Sequence, residues 1–379
     1  MPATMCKADN AEQAHDVAER ATAVLDAGGL VVIPTETVYG VAASAGSAAG
    51  VAALREFKQR PDTPITVHLP DPAAAELYVD TASPALSRLI RKLMPGPVTF
   101  VVEVSDDVQA ARLSALGLPV EVAPHIYHRN TIGLRCPDHH VGRRVLAAAS
   151  NPVVASSANR RGAKAPVEAQ EAAAAVGDAA ELIVDGGRCR FAKASTIVRV
   201  STVEGPLNVS VVRAGVYDER YVRKLMRWTM LLVCSGNTCR SPMAEGLAKS
   251  MLATQRGLAA DELESAGIRV LSAGTFAAPG SGATPEAVEA MRKLDIDISD
   301  HLSRPLTPQL IQEADVIYCM TETHHQSVLQ MVPGAAAFTH LLDASGDIDD
   351  PIGSGTTGYQ RSAELIRRRL ASRLKEQQS

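Results

Sequence analysis

Short apolar or β-branched runs alternate with alanine-rich segments along most of the chain. In the first half, residues 12–29 read as a helix closed by two glycines, residues 30–34 as a strand and residues 48–57 as a second helix. Further strands are predicted at the apolar runs 97–104, 151–157, 181–187, 195–200 and 209–215. Strands that alternate with helices indicate helices layered on a sheet, which is the α/β fold class.

The alternation stops at residues 218–228, a charged segment without strand periodicity, and restarts with the apolar run 229–234. A chain of 379 residues has room for two domains of common size, and 46% hydrophobic residues are ample for two cores. We therefore predict an N-terminal domain over residues 1–217, a linker at 218–228 and a C-terminal domain over 229–379.

Composition and charge narrow the functional classes. The chain carries a net charge of −4, and neither half is strongly basic, which argues against a general nucleic-acid binder. No apolar run approaches the roughly 18 residues of a membrane span, so we expect a cytoplasmic protein without a membrane partner. The six cysteines are scattered, with no C-x-x-C pair, and predict free thiols and no metal site.

The segment at residues 231–245, LLVCSGNTCRSPMAE, places a cysteine at the end of an apolar run and an arginine shortly after it. The loop residues between Cys234 and Arg240 can curl their backbone N–H groups around one phosphate, at the positive end of the following helix. Arg240 then offers a bidentate fork to phosphate oxygens, and the positive field favours a thiolate at Cys234. Ser241 and Pro242 are predicted to be the N-cap and first residue of that helix.

A phosphate transfer also needs an acid for the leaving group, and Asp350 supplies a carboxylate in the loop sequence DIDDPIG. An Asp-Pro pair alone is only a turn signal. In order along the chain, however, residues 229–379 resemble the low-molecular-weight phosphotyrosine phosphatase family in the motifs VCSGNTCRSPMAE, SAGT, DISDHLSRPL, ADVIYCMTETH and DDPIG.

This resemblance implies a central parallel sheet flanked by helices and a role for each matching residue. Cys234 would be the nucleophile, Arg240 the phosphate clamp, and Asp350 the general acid that later activates water. The hydrogen bonds that hold the phosphate loop would come from Asn237, Ser241, Ser272 and His301.

Two positions bear on the substrate of this half. Family members that act on phosphotyrosine usually carry aromatic residues after the Asp-Pro pair, whereas Ile352 and Gly353 stand here. Thr238, the fifth residue of the loop motif, resembles the protein-arginine-phosphatase branch, in which a threonine methyl group narrows the pocket. We therefore expect a phosphorylated protein substrate, with phosphoarginine preferred and phosphotyrosine as the alternative.

Polar residues in the first half cluster at the ends of the predicted elements, in the segments 34–40, 58–61, 67–68, 131–139, 156–162, 195–198 and 211–215. Each segment alone is uninformative, since a K-x-R can be a cationic helix end. As an ordered set they resemble the threonylcarbamoyl-AMP synthase family, the YrdC-like domain, over about residues 10–217. Its hallmark is K-x-R paired with a distant S-x-N, here residues 58–60 and 157–159.

That resemblance implies a twisted α/β sheet and the synthesis of threonylcarbamoyl-adenylate from ATP, bicarbonate and L-threonine. ATP would contact Lys58, Arg60, Thr131, Asn159 and Arg213. Threonine would contact Thr37, His68, Arg135, Ser157 and Ser195. Three of the ATP residues are cations, as a triphosphate requires, and Arg135 suits a substrate carboxylate. We expect Mg²⁺ to bridge the phosphates, with no tightly bound cofactor and with chemistry that depends on positioning.

Other interpretations remain. The N-terminal half could be an RNA-binding module that has lost synthesis, and the C-terminal half could bind phosphoproteins without hydrolysing them. The complete K-x-R and S-x-N pair argues against the first, and the intact Cys234, Arg240 and Asp350 argue against the second. The synthase product would serve transferase proteins that modify tRNA, so tRNA is an indirect partner. Residues 110–130 match neither family and could be a lid or an insertion.

Overall fold

The protein is described by a computed structural model covering residues 3–8, 10–59, 65–81, 83–201 and 208–376. The chain divides into two compact units, Met1–Lys224 and Leu225–Ser379. Each unit has its own sheet with flanking helices, so the predicted α/β class is confirmed. No helix in the described part of the chain is both long enough and apolar enough to cross a membrane.

The described strands of the N-terminal unit form one mixed sheet. They are β1 (Thr4–Lys7), β2 (Val31–Ile33), β3 (Gly40–Ser44), β4 (Thr66–His68), β5 (Val98–Glu103), β6 (Tyr127–His128), β7 (Thr131–Arg135), β8 (Val153–Ser157), β9 (Leu182–Asp185), β10 (Thr196–Ser201) and β11 (Asn208–Arg213). The order across the sheet is β1-β9-β2-β3-β8-β4-β7-β5-β10-β11, and β6 pairs with β7.

The helices of this unit join successive strands. They are α1 (Ala11–Asp26), α2 (Ala48–Lys58), α3 (Pro84–Leu93), α4 (Asp106–Ala115), α5 (Ala123–Ile126), α6 (His140–Ala148) and α7 (Ala169–Val176). Helices α1 and α6 pack on the part of the sheet near β1, β9, β2, β3 and β8, where Leu25, Ile33 and Val145 are among the fully buried core residues. Burial of such side chains supplies most of the driving force for this layer.

Beyond this packed region, strand pleating brings polar side chains onto one face of β7 and its neighbours. Thr131, Gly133 and Arg135 alternate along β7 and so point to the same side of the sheet. His68 of β4 pairs with Arg135, and Glu103 of β5 pairs with Thr131, so these side chains share that face. This polar face is where the synthase-like residues meet.

The unmatched segment 110–130 is folded onto the unit. It contains most of α4, a 3₁₀ turn at Val120–Val122, α5 and β6. Arg55 of α2 donates to the Pro124 carbonyl at 2.8 Å, and His125 Nδ1 donates to the Ala45 carbonyl at 2.7 Å. In this structure the segment is therefore packed beside α2.

The C-terminal unit has a four-stranded parallel sheet among its described residues, in the order β13-β12-β14-β15. The strands are β12 (Trp228–Cys234), β13 (Ile268–Gly274), β14 (Val316–Cys319) and β15 (Thr339–Leu341). The helices are α9 (Arg240–Arg256), α10 (Pro285–Arg292), α11 (Pro308–Glu313), α12 (Glu322–Met331) and α13 (Gly355–Glu376). Ligands of parallel α/β sheets bind at the carboxyl ends of the strands, which is where β12 presents Cys234.

Alternation along β12 explains how the sheet is covered on both faces. Met230 and Leu232 belong to the core shared with α9, α10 and α13. Leu231 and Val233 belong to a second core, which includes Ile311 of α11. A strand buried on both faces reads as a continuous apolar run, as residues 229–234 do.

The elements predicted from periodicity in the first half are all present, with shifts of a few residues at their ends. The predicted linker holds a further helix, α8 (Glu219–Met226), with Val222 and Leu225 buried. Arg223 of this helix is ion-paired with Glu219 one turn earlier, which helps a charged segment to form a helix.

The first turn of α6 is packed too tightly to admit a side chain. A Cβ at Gly142 would overlap the backbone carbonyl oxygen of Pro34, which precedes the predicted threonine-binding segment. Alanine normally stabilises a helix relative to glycine, but we expect Gly142→Ala to lower the free energy of unfolding by about 1–3 kcal/mol through overpacking. Urea denaturation measures the change. Gly334→Ala, where the new Cβ meets open space, is the control and should be neutral.

Candidate active sites

The phosphate loop, residues 234–240, joins β12 to α9 and is organised by one asparagine. Asn237 has φ 55°, in the left-handed region that asparagine tolerates better than most residues. Its Nδ2 donates to the Oγ atoms of Ser241 and Ser272, both at 2.8 Å, and its Oδ1 accepts the backbone N–H of Arg304 at 2.8 Å. Because this buried side chain has each polar atom paired, it fixes the curl of the loop.

A second layer of hydrogen bonds lies behind Asn237. Ser272 Oγ donates to Glu245 Oε2 at 2.6 Å, and His301 Nε2 donates to the backbone carbonyl of Asn237 at 2.8 Å. The structure thus brings the three predicted supporting residues, Ser241, Ser272 and His301, into contact with Asn237. Glu245 was missed, and the one signal for it is an acidic residue in an otherwise apolar stretch of α9.

Cys234 ends β12, and its sulfur is bonded within the loop. Sγ lies 2.9 Å from Ser241 Oγ and accepts the backbone N–H of Asn237 at 3.2 Å. Since Ser241 Oγ already accepts a hydrogen bond from Asn237, its own proton is available to the sulfur. Both contacts hold the sulfur in place within the loop.

The start of α9 differs from the prediction. The helix begins at Arg240 with Cys239 at the N-cap, so the prediction that Ser241 caps the helix and Pro242 opens it was wrong. These two residues are the second and third of the helix. Proline fits there because the N–H groups of a first turn have no intrahelical partner. The Ser241 hydroxyl is bonded within the phosphate loop instead of capping the helix.

Arg240 is buried and bonded to the loop that carries the predicted acid. Nη1 donates to the Ile348 carbonyl at 2.9 Å, and Nη2 donates to Asp350 Oδ2 at 2.5 Å. Its Nε is buried with no hydrogen-bond partner among the described residues. Asp350 is 43% exposed, so this carboxylate lies at the mouth of the site, between Arg240 and solvent.

The rim of this site is partly apolar and exposed. Thr238 is half-buried, and its carbonyl accepts the backbone N–H of Thr284 at 2.9 Å. Ile352 is 67% exposed and Asp349 is also exposed. Phe276, which sequence reasoning did not single out, is 83% exposed and donates its backbone N–H to the Ser235 carbonyl.

In the N-terminal unit, the structure brings the K-x-R lysine onto the S-x-N motif 99 residues away. Lys58 Nζ donates to the carbonyls of Ser157 and Asn159 at 2.7 and 2.5 Å. Ser157 Oγ donates to Asn159 Oδ1 at 2.5 Å, and Asn159 Nδ2 donates to the Ala163 carbonyl at 2.7 Å. The lysine side chain therefore fixes the end of β8 and places a positive charge there.

Arg135 forms a second polar cluster with the segment after β2. Its Nη2 donates to Glu36 Oε1 at 3.0 Å and to Thr37 Oγ1 at 2.5 Å. Glu36 is 2% exposed, and its other oxygen accepts the backbone N–H of Asp138 at 2.9 Å. The Nε of Arg135 is buried, and the described residues give it no partner. The arginine predicted to bind a substrate carboxylate thus already holds a protein carboxylate on one side.

Glu36 was not predicted as a site residue. It lies inside the PTETVYG segment, next to the predicted site residue Thr37. The sequence gives no sign that its partner is Arg135, 99 residues further along the chain. A buried carboxylate is stable when it is paired with a buried cation and its remaining oxygen is hydrogen-bonded. Glu36 meets both conditions.

His68, Ser195 and Arg213 surround this cluster. His68 Nδ1 donates to the Thr66 carbonyl at 3.0 Å, and burial together with the charge of Arg135 lowers the pKa of His68 to about 3. Arg213 Nη2 donates to the Ser195 carbonyl at 2.8 Å, and burial beside Arg135 lowers the pKa of Arg213. A neutral His68 leaves its Nε2 as a hydrogen-bond acceptor in a cationic site.

Among the predicted ATP residues that the structure describes, Thr131 makes its hydrogen bond outside these contacts. Thr131 begins β7, and its hydroxyl donates to the His128 carbonyl at 2.7 Å. It lines a surface cavity with Arg129, Arg199 and Ser201. Arg60, the second cation of the K-x-R motif, lies outside the described residues.

No group of three or more histidine, cysteine, aspartate or glutamate side chains in the described ranges is arranged to hold a metal ion. Any Mg²⁺ that accompanies a nucleotide would accordingly take most of its ligands from phosphate oxygens and water, as this ion commonly does.

Two protein-family models match the chain. The Sua5/YciO/YrdC model, described as "Telomere recombination", matches residues 23–215. The model described as low molecular weight phosphotyrosine protein phosphatase matches residues 229–379. The two matches fall in the two units of the structure.

Three relatives illustrate the similarity. A protein-arginine-phosphatase of Bacillus subtilis is 37% identical over 155 residues, 39% of this chain and 97% of that protein. A threonylcarbamoyl-AMP synthase of the same species is 31% identical over 180 residues, 47% of this chain and 49% of that protein, so the chain spans about half of its length. A putative threonylcarbamoyl-AMP synthase of Mycobacterium tuberculosis is 34% identical over 179 residues, 47% of this chain and 76% of that protein.

The burial of His68 makes stability depend on pH. An unfolded histidine takes up a proton near pH 6.5, whereas the pKa of folded His68 is about 3, so the folded form loses stability as pH falls from 6.5 towards 3. Between pH 7 and pH 5 we expect a loss on the order of 2 kcal/mol from this group. Urea titrations at both values measure it. His68→Gln should remove this loss, while His15→Gln, on an exposed face of α1, should retain it.

Proposed function

Because the chain belongs to the Sua5/YciO/YrdC family through residues 23–215 and to the low-molecular-weight phosphatase family through residues 229–379, we propose that one polypeptide carries two enzymes. The N-terminal unit makes L-threonylcarbamoyl-adenylate from ATP, bicarbonate and L-threonine. The C-terminal unit hydrolyses a phosphorylated protein through a cysteine nucleophile, with phosphoarginine as the preferred substrate. The names of the relatives support both assignments.

The contact between Lys58 and the S-x-N motif carries the proposal for synthesis. The ammonium group is held by the carbonyls of Ser157 and Asn159, at a sheet end where a triphosphate needs positive charge. An ammonium has three N–H donors, and a phosphate oxygen would compete with the protein's own oxygens for them. We assign ATP to this end, with Arg60, Thr131, Asn159 and Arg213 as further ligands.

Threonine is assigned to the cluster around Arg135. The guanidinium is held by Glu36 and Thr37 through Nη2, and an arginine has further N–H groups with which to pair a substrate carboxylate. Thr37 and Ser195 offer hydroxyl groups nearby. Ser157, which is also assigned to threonine, contacts Lys58 at the ATP end. The neutral Nε2 of His68 can accept a hydrogen bond from the threonine ammonium or hydroxyl.

The carboxylate described in the synthase cluster, Glu36, is already bonded to Arg135 and to the Asp138 N–H, and positioning is the proposed source of the rate. Threonine and bicarbonate give a carbamate, whose oxygen attacks the α-phosphorus of ATP while the bond to pyrophosphate breaks. The residues named above would hold ATP and the carbamate of threonine in a fixed relative orientation. The reaction then takes place within one complex and no longer depends on a collision in solution. Mg²⁺ would enter with ATP and neutralise part of the phosphate charge. The adenylate product then serves tRNA-modifying transferases, so tRNA is an indirect partner.

In the phosphatase, Cys234 Sγ attacks phosphorus and forms an S–P bond as the bond to the leaving group breaks. Asp350 gives the leaving nitrogen or oxygen its proton, and Arg240 with the loop N–H groups holds the equatorial oxygens. Water then attacks the phosphocysteine, Asp350 takes its proton, and phosphate leaves with Cys234 again a thiolate. The direct contact between Arg240 and Asp350 supports placing clamp and acid on the same phosphate.

Phosphoarginine fits the rim better than phosphotyrosine does. Thr238 narrows the loop, and the exposed Ile352 offers no aromatic face on which a tyrosine ring could stack. The phosphorylated guanidinium is thin and planar, and the exposed carboxylate of Asp349 can attract its cationic end.

We also place both reactions in the cytoplasm, where ATP and tRNA are found. All six cysteines are free thiols in the structure, as the reducing cytoplasm favours. The alternatives, an RNA-binding N-terminal unit and a phosphotyrosine phosphatase, are decided by the two experiments that follow.

The synthesis is tested by incubating the full chain with ATP, bicarbonate and threonine and measuring pyrophosphate and the adenylate. Lys58→Met should lower kcat/KM for ATP at least about tenfold, because one charge-assisted contact to phosphate is worth about 1.5–3 kcal/mol. Lys7→Met, on β1 four strands from β8, is the control and should match the unmodified protein. An unmodified chain that makes no adenylate but binds RNA would favour the RNA-binding alternative.

Substrate choice is tested by comparing kcat/KM on phosphoarginine proteins and phosphotyrosine peptides. We expect phosphoarginine to be preferred, and Thr238→Ile to narrow the gap by about 10- to 200-fold, since pocket differences of this size are worth about 1–3 kcal/mol. Cys234→Ser sets the baseline, because it removes the nucleophile. Equal or better turnover of phosphotyrosine by the unmodified chain would leave the broader phosphatase assignment and refute the arginine preference.

A further inference from the structure

A buried histidine contacts the phosphate loop and has no place in the mechanism above. His324, in the first turn of α12, is 4% exposed. Its Nε2 lies 2.8 Å from Ser235 Oγ, and its Nδ1 lies 2.8 Å from Thr321 Oγ1. Burial and the nearby charge of Arg240 lower the pKa of His324 to about 4, so at neutral pH the ring has one donor and one acceptor nitrogen. Both nitrogens are therefore satisfied by two hydroxyl groups.

The serine that His324 contacts is the second residue of the phosphate loop. The Ser235 carbonyl accepts the Phe276 backbone N–H at 3.0 Å, and its hydroxyl is held by His324. The next residue, Gly236, is exposed, and a Cβ placed there would meet one atom, Thr238 Oγ1, at 3.5 Å. Glycine backbone rotates easily, so the peptide between residues 235 and 236 is held from its Ser235 side, by the Phe276 N–H at its carbonyl and by His324 at the adjoining hydroxyl.

His324 also connects this peptide to the loop that carries the acid. The N-terminus of α12 is tied to that loop because the Glu322 N–H donates to Asp347 Oδ1 at 2.7 Å. Ile348 makes two hydrogen bonds through its backbone. Its N–H donates to the Met320 carbonyl at 2.8 Å, and its carbonyl accepts a hydrogen bond from Arg240 Nη1 at 2.9 Å. Arg240 ends the phosphate loop. These hydrogen bonds and the backbone between them thus form a closed ring, which includes Ser235 and Arg240, the second and last residues of the phosphate loop.

We propose that His324 is a positioning residue of the phosphatase. Through its hydrogen bond to Ser235, it helps to hold the peptide between residues 235 and 236 with the N–H towards the phosphate. It also keeps this peptide in a fixed position relative to the loop that carries Asp350. This inference rests on the proposed phosphatase function. Without His324 this peptide keeps the Phe276 contact at its carbonyl but loses the second anchor at the Ser235 hydroxyl, so its N–H is aimed at the phosphate less strictly. The cost then falls on oxyanion binding and turnover together.

The test is a double-mutant cycle with p-nitrophenyl phosphate as substrate and inorganic phosphate as inhibitor. His324→Ala and Ser235→Ala should each lower kcat/KM about tenfold and raise the inhibition constant of phosphate about tenfold. The double variant should be no worse than either single variant, because both remove the same contact. His324→Gln, which can place an amide near the position of Nε2, should recover most of the loss.

The matched control is His325→Ala, the next residue of α12, whose Nδ1 lies 3.6 Å from Glu322 Oε1 and for which the described residues give no contact with the phosphate loop. It should behave as the unmodified protein. Additive costs in the double variant, an inhibition constant unchanged in His324→Ala, or an equal loss in His325→Ala would each overturn the proposal. Should His324→Ala fail to fold, Ser235→Ala, at a partly exposed residue, decides the question through the same two constants.

A second readout separates this inference from the proposed function. Phosphate bound in the loop protects Cys234 from alkylation by iodoacetamide, whether or not the protein hydrolyses any substrate. If the unmodified chain turned over no phosphorylated compound, the proposed function would fail, and the protection assay would still decide the role of His324. A tenfold weaker protection in His324→Ala but not in His325→Ala supports it, and equal protection in both refutes it.

Discussion

Each of the two sites must hold positive charge away from water before an anionic substrate arrives. A buried cation without a partner is costly, and a site built from several of them would not be stable when empty. The chain meets this requirement in the same way in both units. Arg135 is paired with Glu36, Arg240 with Asp350, and Lys58 with two backbone carbonyls. The loops and strand ends around the sites are placed where they can supply these oxygens.

This arrangement decides what a substrate must do to enter. The internal partners occupy one edge of each guanidinium, while the Nε atoms of Arg135 and Arg240 are buried and unpaired within the described part of the chain. A phosphate or carboxylate therefore has to compete with these internal oxygens for N–H donors that the protein already uses. Asp350 is the more exposed of the two internal carboxylates, and it alone has a proposed chemical role.

Much of the architecture was readable from sequence because it depends on local patterns. The apolar run before Cys234 gave the central strand of the C-terminal sheet, and glycines 28 and 29 marked the end of α1. Two carboxylates that support the sites were not readable. Glu36 and Glu245 are single acidic residues whose function depends on neighbours distant in sequence, and periodicity carries no information about such pairs. The cap of α9 was misread because the serine hydroxyl is used by the catalytic loop.

Every described residue of either site comes from one unit, since the synthase cluster lies within Met1–Lys224 and the phosphatase cluster within Leu225–Ser379. Selection can therefore act on either chemistry without altering the ligands of the other. Substitutions in one site could abolish or alter one activity during evolution and leave the second intact. Both halves of the polypeptide would still be translated in equal amounts. Fixed stoichiometry, rather than a shared intermediate, is what covalent linkage of two such self-sufficient sites guarantees.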